Sequence, residues 1–280
     1  MRVLVNAVLS HQHKALGDFL VGFDKEKHEI HNFNPSSLPN ESYDICICWG
    51  VAQMEKLKRF AEIKNFIIFE NSYLNNVQGK AKEWVSAGWN GLNGRADFCN
   101  KNSPDDRWKK HFNDGRLKEY TDGEYILIPL QINGDQSLRY LDWGVNYQSI
   151  CESIRKHTDL PILIRDHPTR PNTQPKIEGV NDVKYADFKL PIQTAISGAK
   201  CVVTINSNAG VDSVLAGKPV ISLDKGSMVW NISDHDFANI NSPKQYDRTE
   251  WCNDIAYAQW HPDELRSGEA WNHLKKIYEK

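Results

Sequence analysis

Residues 204–221 (TINSNAGVDSVLAGKPVI) constrain the fold more than any other stretch. An apolar run ends in small polar residues, a helix-forming segment follows, and Gly217-Lys218-Pro219 breaks it into a second apolar run. That is a strand, a helix and a strand with no room for more, and such a unit belongs to a parallel sheet with crossover helices. Asn206, Ser207 or Asn208 can cap the helix, and free N–H groups in its first turn would then favour a diphosphate. Gly210 permits close approach of a ligand or of the neighbouring strand. Asp212, one turn in, is placed to accept hydrogen bonds from ribose hydroxyls. The alternative is an ordinary β–α–β unit with a good cap.

The same rhythm runs through the chain. Residues 1–9, 43–49 and 65–69 read as strands, with 51–63 at helical spacing between the last two. Residues 88–123 are polar and glycine-bearing, a loop plus an irregular helix close to a domain boundary. Strands restart at 123–131, 161–165, 200–205 and 219–223, interleaved with helices at 146–157, 191–198 and 207–216. Residues 250–280 read as one or two helices, with Trp251, Ile255, Tyr257 and Trp260 able to pack them on the first half. The fold class is α/β, with an N-terminal domain over 1–122, a C-terminal domain over 123–249 and closing helices over 250–280. A dehydrogenase-type dinucleotide site is a poor fit, because no G-x-G-x-x-G follows the first strand.

Two further clusters fall at strand ends, where open α/β sheets bind ligands. Arg165, His167 and Arg170 surround Pro168; arginine suits bidentate phosphate contacts, and His167 could donate to a phosphate oxygen of a leaving group. A proline-stiffened loop with solvated arginines is the plainer reading. Gln131 ends another strand and offers a donor and an acceptor, while Asp135 reads as a turn former.

Composition narrows the partners. The 34 basic and 36 acidic residues give a formal charge of -2, so no global field draws the chain onto nucleic acid or anionic membrane. A local basic strip remains open to Lys80, Lys82, Arg95, Lys109 and Lys110, with Lys101, Arg107, Arg116 and Lys118 nearby; a solvated surface is the alternative. Trp84, Trp89 and Trp108 lie among these charges and could stack on bases or sugars, or pack in a core. The six cysteines include no C-x-x-C pair, so buried free thiols are expected and a structural zinc site is not. No D-x-D metal motif is present, and Asp234-His235-Asp236 reads as a solvated loop. No run nears the ~20 apolar residues of a membrane span, so a cytoplasmic protein is expected, in the host cytoplasm if phage-encoded.

On these residues the second half, roughly 123–271, resembles the capsule-polysaccharide Kdo-transferase type of GT-B glycosyltransferase. Pro129-Leu130-Gln131 is similar to its P-x-Q strand end, His167-Pro168 to its histidine–proline motif, and residues 207–220 to its S-x-x-G-x-E-A-L-x-x-G-K-P-V donor motif. Asp212 stands where that motif has glutamate, and Ser213 where it has alanine. Gln259-Trp260 and residues 267–271 resemble its closing helices. The resemblance implies two Rossmann-like domains facing across a cleft. Donor-binding residues would be Gln131, Arg165, His167, Arg170, Asn206, Ser207, Asn208, Gly210 and Asp212. An inverting enzyme needs a base from the N-terminal domain; Asp18 and Glu70 are the candidates, with His11 and His13 behind Asp18.

Length, the lack of an anchor and a divergent first half also resemble phage DNA glucosyltransferases. That resemblance implies glucose moved from UDP-glucose onto glucosylated 5-hydroxymethylcytosine in double-stranded phage DNA, protecting it from restriction. The alternatives are a glycosyltransferase on a capsule or lipid-linked glycan with a Kdo-type donor, and a non-catalytic nucleotide-sugar-binding protein. A nucleotide sugar is the expected co-substrate in either enzyme reading, with no cofactor required and no divalent metal indicated.

Overall fold

The structure, a computed structural model, describes residues 1–23, 27–34, 41–74, 83–142, 144–172 and 174–279. It divides into two compact units, Met1–Arg107 with Cys252–Lys280, and Trp108–Trp251.

The first unit opens with β1 (Arg2–Asn6), α1 (Ser10–Gly22), β2 (Glu29–Asn32), β3 (Ser42–Trp49), α2 (Val51–Leu57), β4 (Glu62–Asn71) and β5 (Val85–Trp89). The helix α3 (Asp106–His111) crosses into the second unit, which holds β6 (Tyr125–Pro129), α4 (Tyr147–Arg155), β7 (Ile162–Arg165) and β8 (Val183–Tyr185). It continues with α5 (Ile192–Ser197), β9 (Ala199–Thr204), α6 (Ala209–Leu215) and β10 (Val220–Ser222). After α7 (Thr249–Ala256) the chain rejoins the first unit through β11 (Gln259–Trp260), α8 (Pro262–Ser267) and α9 (Glu269–Leu274).

The first sheet has the order β11-β5-β4-β3-β1-β2. Its β2, β1, β3 and β4 are parallel; β5 pairs antiparallel with β4, and β11 antiparallel with β5 at the edge. Alternate residues of β3, Ile45, Ile47 and Trp49, face a core completed by Leu16 and Phe19 of α1 and by Leu265 and Trp271 of α8 and α9. Burying each of these side chains is worth about 2 kcal/mol. The helices approach closely because Gly22 has no side chain; a Cβ there would lie 2.1 Å from the Leu265 carbonyl oxygen. Gly268, at φ 83°, ends α8 and lets α9 start at once.

One buried cation ties this unit together. Arg107 is 3% exposed, and all five of its N–H groups are spent. They go to Glu264 at 2.6 and 3.0 Å, Glu269 at 3.3 Å, and the carbonyls of Ala256 and Gln259 at 3.1 and 2.8 Å. Its guanidinium also lies 4.2 Å from the Trp260 ring centroid.

The second sheet is wholly parallel, in the order β10-β9-β6-β7-β8. Both faces are therefore covered: Ile126 and Ile128 pack with Ile150 and Ile154 of α4 on one side, Leu127 and Val202 with Ile196 of α5 on the other. The break after α6 has a clear cause. Gly217 adopts φ 72°, and a Cβ there would lie 2.0 Å from Glu119 O. Lys218, 1% exposed, donates to Asp122 O at 2.8 Å and Thr121 O at 3.3 Å. Lys118 N and Thr121 N in turn donate to Leu215 O and Gly217 O.

These bonds move a boundary. Residues 108–122 were expected with the first domain and belong to the second unit, pinned to the end of α6. The helix expected over 51–63 stops at Leu57, and Glu62 and Ile63 already pair in β4. Gly88 and Trp89, expected in a loop, lie in β5. Among the described residues the closing segment holds three α-helices, a short strand and a 3₁₀ helix at Lys275–Glu279 rather than one or two helices.

Candidate functional site

The carboxyl ends of β6, β7 and β9 gather most of the expected donor residues. Gln131 and Asn206 sit two residues beyond β6 and β9, 6% and 2% exposed. Gln131 Nε2 donates to Asn206 Oδ1 at 2.9 Å and to Ser137 Oγ at 3.1 Å, while its Oε1 accepts from Asn206 N at 3.2 Å. Asn206 Nδ2 donates to Ser137 O at 2.8 Å and to Asp224 Oδ2 at 2.7 Å. A primary amide has two N–H donors, and both amides have used both. The Gln131 backbone is fixed as well: its N–H donates to the Tyr147 hydroxyl at 2.8 Å, and its carbonyl accepts from Gln174 Nε2 at 3.0 Å.

Asp135 emerges as a site residue where a turn former was expected. It still forms the turn, capping the Gln136–Leu138 3₁₀ turn. One oxygen, Oδ1, accepts from Ser137 N at 2.8 Å and Ser137 Oγ at 2.7 Å. The other has no protein partner among the described residues. Its charge acts on His167: burial lowers the His167 pKa, Asp135 opposes that shift and Arg165 adds to it. His167 Nδ1 accepts from Thr169 N at 3.3 Å, which leaves the proton of the neutral ring on Nε2. No protein group among the described residues takes that proton.

Arg165 is 5% exposed and turned inward. Its NH2 donates to Phe188 O at 3.2 Å and Leu190 O at 2.7 Å, and its Nε is buried without a partner. Burial lowers its pKa, opposed by Asp187. It anchors the 188–190 loop, whereas Arg170 is exposed in the turn after His167.

The start of α6 is more closed than its sequence suggested. Ser207 N donates to Thr204 Oγ1 at 3.2 Å, Ala209 N to Ser207 Oγ at 3.2 Å, and Gly210 N to Ser207 O at 3.0 Å. Ser207 thus supplies the side-chain cap, while Asn208 holds the N-cap position without one. These three N–H groups, expected free for a diphosphate, are taken. Gly210 faces Val229 and Thr204, which a Cβ would meet at 3.1 and 3.4 Å. Its lack of a side chain serves packing. Asp212 is half-buried, and its carboxylate has no hydrogen bond or ion pair among the described residues. Burial alone pushes its pKa up to about 6.

The first unit spends its expected catalytic groups differently. Asp18 lies on α1 and pairs through Oδ1 with Arg266 at 3.0 Å. Glu70 accepts from Trp49 Nε1 at 3.1 Å and from Asn71 N at 3.0 Å. His11 is exposed on the first turn of α1, its ring edge-on to Trp49 with centroids 5.1 Å apart. His11, Trp49 and Glu70 therefore meet at the carboxyl ends of β3 and β4, whereas His13 is exposed one residue beyond Gln12 and Asp18 faces Arg266.

The expected basic strip does not assemble as read. Lys80 and Lys82 lie outside the described residues. Arg107 is buried, and Arg116 pairs with Asp114 at 2.7 Å. Arg95 is half-buried in the first unit, and Lys109 and Lys110 are exposed in the second. Trp89 and Trp108 are core residues, 1% and 8% exposed. In the 234–236 loop, His235 stacks on Trp230 at 3.5 Å and Asp234 accepts from Tyr246 OH at 2.9 Å. Among the described residues no group of three His, Cys, Asp or Glu side chains could hold a metal ion, and no helix is long and apolar enough to cross a membrane.

The sequence profile of a family described as capsule polysaccharide biosynthesis protein matches residues 99–250, more than half of the chain and nearly all of the second unit. The chain belongs to that family. Protein FixF of Sinorhizobium fredii is 27% identical over 171 residues, which is 53% of this chain but 37% of FixF. The matched segment thus spans little more than a third of the length of this curated relative.

Two solved structures share the fold across nearly the whole chain, both from Thermosulfurimonas dismutans KpsC. The β-Kdo 2,4 transferase superposes with a TM-score of 0.61 at 14% identity, covering 98% of each chain. The β-Kdo 2,7 transferase gives 0.53 at 13% identity, covering 100% of this chain and 99% of that one. The architecture is therefore α/β, of the GT-B glycosyltransferase kind.

Proposed function

We propose that the protein is a glycosyltransferase of capsule-type glycan synthesis, with its nucleotide-sugar site at the carboxyl edge of the second sheet. One observation carries the reading. At that edge the amides of Gln131 and Asn206 are fully engaged, while Asp135, His167 and Asp212 each keep a polar atom without a protein partner among the described residues. None of these atoms is a buried orphan; each is reached by solvent and so is open to an incoming ligand.

The roles follow from the chemistry. His167 Nε2–H donates to the phosphate of the leaving nucleotide, with the exposed Arg170 in the turn beside it. Asp212 accepts from ribose hydroxyls. The open oxygen of Asp135 faces the sugar, where a carboxylate stabilises the positive charge that develops as the bond to phosphate breaks. In the first unit His11 and Glu70 both contact Trp49, and they are the leading candidates for a base, ahead of Asp18 and His13.

The family and the KpsC folds support a Kdo-type donor, which is CMP-Kdo. The closed first turn of α6 agrees with a donor bearing one phosphate rather than two. A second reading, glucose from UDP-glucose onto glucosylated hydroxymethylcytosine in DNA, rests on the exposed Lys109 and Lys110 and on Arg95, with far less behind it. The test is release of nucleotide from CMP-Kdo and UDP-glucose, with an acidic oligosaccharide or with glucosylated hydroxymethylcytosine DNA. CMP release stimulated by the oligosaccharide is expected. UDP release stimulated only by the DNA would move the reading to the second, and binding without turnover would leave a non-catalytic binding protein.

A further inference from the structure

We infer that Gln131 and Asn206 are positioning residues, and that their interlocked amides set the reactive geometry of Asp135 through Ser137. This rests on the reading of the second unit's edge as the donor site. It changes what two of the expected donor ligands do.

The argument is a count of donors. Gln131 Nε2 gives its two N–H groups to Asn206 Oδ1 and Ser137 Oγ; Asn206 Nδ2 gives its two to Ser137 O and Asp224 Oδ2. Neither amide has an N–H left for a phosphate or a hydroxyl. Orientation is not free either. With Asn206 N donating to Gln131 Oε1 and Asp224 accepting from Asn206, turning either amide over would set donor against donor or acceptor against acceptor.

The two residues stand at the ends of neighbouring parallel strands, β6 and β9. Their bonds join the loop after β6, the turn before α6 and the segment after β10, which carries Asp224. Ser137 is held at two atoms: Gln131 donates to its Oγ and Asn206 to its carbonyl. Held so, its own N–H and O–H both point at Asp135 Oδ1, at 2.8 and 2.7 Å. The Asp135 carboxylate is thereby fixed through one oxygen, with the other left for the sugar. A chain of this kind acts on the reacting geometry rather than on nucleotide affinity, and a misplacement near 1 Å costs about 100-fold in rate.

Ser137 gives the cleanest test, because it is only half-buried and its loss spares the sheet. Ser137→Ala, Ser137→Thr and Gln131→Glu are compared with wild type in two measurements: affinity for CMP and UMP by calorimetry, and kcat for hydrolysis of whichever donor wild type turns over. The expected result for Ser137→Ala and Gln131→Glu is a kcat lower by about 10- to 100-fold, with nucleotide Kd within about 3-fold of wild type. Ser137→Thr, which keeps the hydroxyl, recovers most of the rate. Nucleotide affinity weakened about 10-fold with kcat unchanged would overturn the inference and return Gln131 to the ligands. Two variants indistinguishable from wild type would overturn it as well. Failure of the donor-site reading shows separately, as a wild-type protein that binds neither nucleotide, before any variant is measured.

Discussion

The two sheets end in edges of similar build and opposite economy. In the first unit Arg107 is consumed by Glu264, Glu269 and two carbonyls, Glu70 accepts from Trp49 and Asn71, and Asp18 pairs with Arg266 through one oxygen while its other is buried without a partner among the described residues. At the second, the neutral amides are committed and the ionisable groups Asp135, His167 and Asp212 stay incomplete. The contrast sets charge spent within the fold, Arg107 above all, beside groups that the proposed reading gives to a ligand.

Removing the most committed charge should have the largest effect. Arg107→Ala removes the guanidinium from the buried Glu264 carboxylate, and a loss of about 3 to 5 kcal/mol from the first unit is expected in urea or thermal unfolding. A loss below about 1 kcal/mol would erase the distinction. Asp135→Asn, in the second unit, should do the reverse. It is expected to lower kcat by about 1000-fold while leaving the unfolding curve almost in place.

Asp212 sharpens the comparison because it combines both signs. Its folded pKa of about 6 lies above the ordinary carboxyl value. The fold therefore favours its protonated form, a preference fully present below pH 4 and lost as the pH rises through about 6. At pH 7.5 Asp212→Asn is expected to make the free protein more stable by about 1 to 3 kcal/mol and nucleotide binding about 10-fold weaker. Wild-type binding should strengthen as pH rises through about 6, and the variant's should not. A variant that loses stability would show that the carboxylate serves the fold. The smallest effect belongs to Asp18→Asn, where the exposed Arg266 loses one of two carboxylate partners and keeps Asp263; about 1 kcal/mol or less is expected, with turnover within about 3-fold of wild type.

The legible parts of this chain were those where periodicity and punctuation agree. The 199–222 strand–helix–strand unit came through because its strands are apolar throughout and Gly217 closes the helix in a conformation that favours glycine. The parallel strands β3, β6 and β7 were readable for the same reason. The strands β2, β5, β8 and β11 were not: they are short or edge elements, and β5, sequence VSAGW, owes its existence to antiparallel pairing with β4 rather than to propensity. In the candidate site, the strand ends that the sequence marked are where the structure puts His167, and Asp212 follows one turn into α6. It could not tell a ligand from a brace, because Gln131 and Asn206 acquire their partners from loops 75 residues apart in the chain. Asp135 read as a turn former, which it is; that the turn uses one oxygen alone shows only in the structure.

Amide hydrogen exchange with and without CMP tests the contrast between the two edges most directly. The account predicts slowed exchange confined to the second unit, at residues 131–137, 165–170 and 206–213. Protection appearing instead at residues 6–13, 49–53 and 70–72 would place the nucleotide on the first sheet and contradict it.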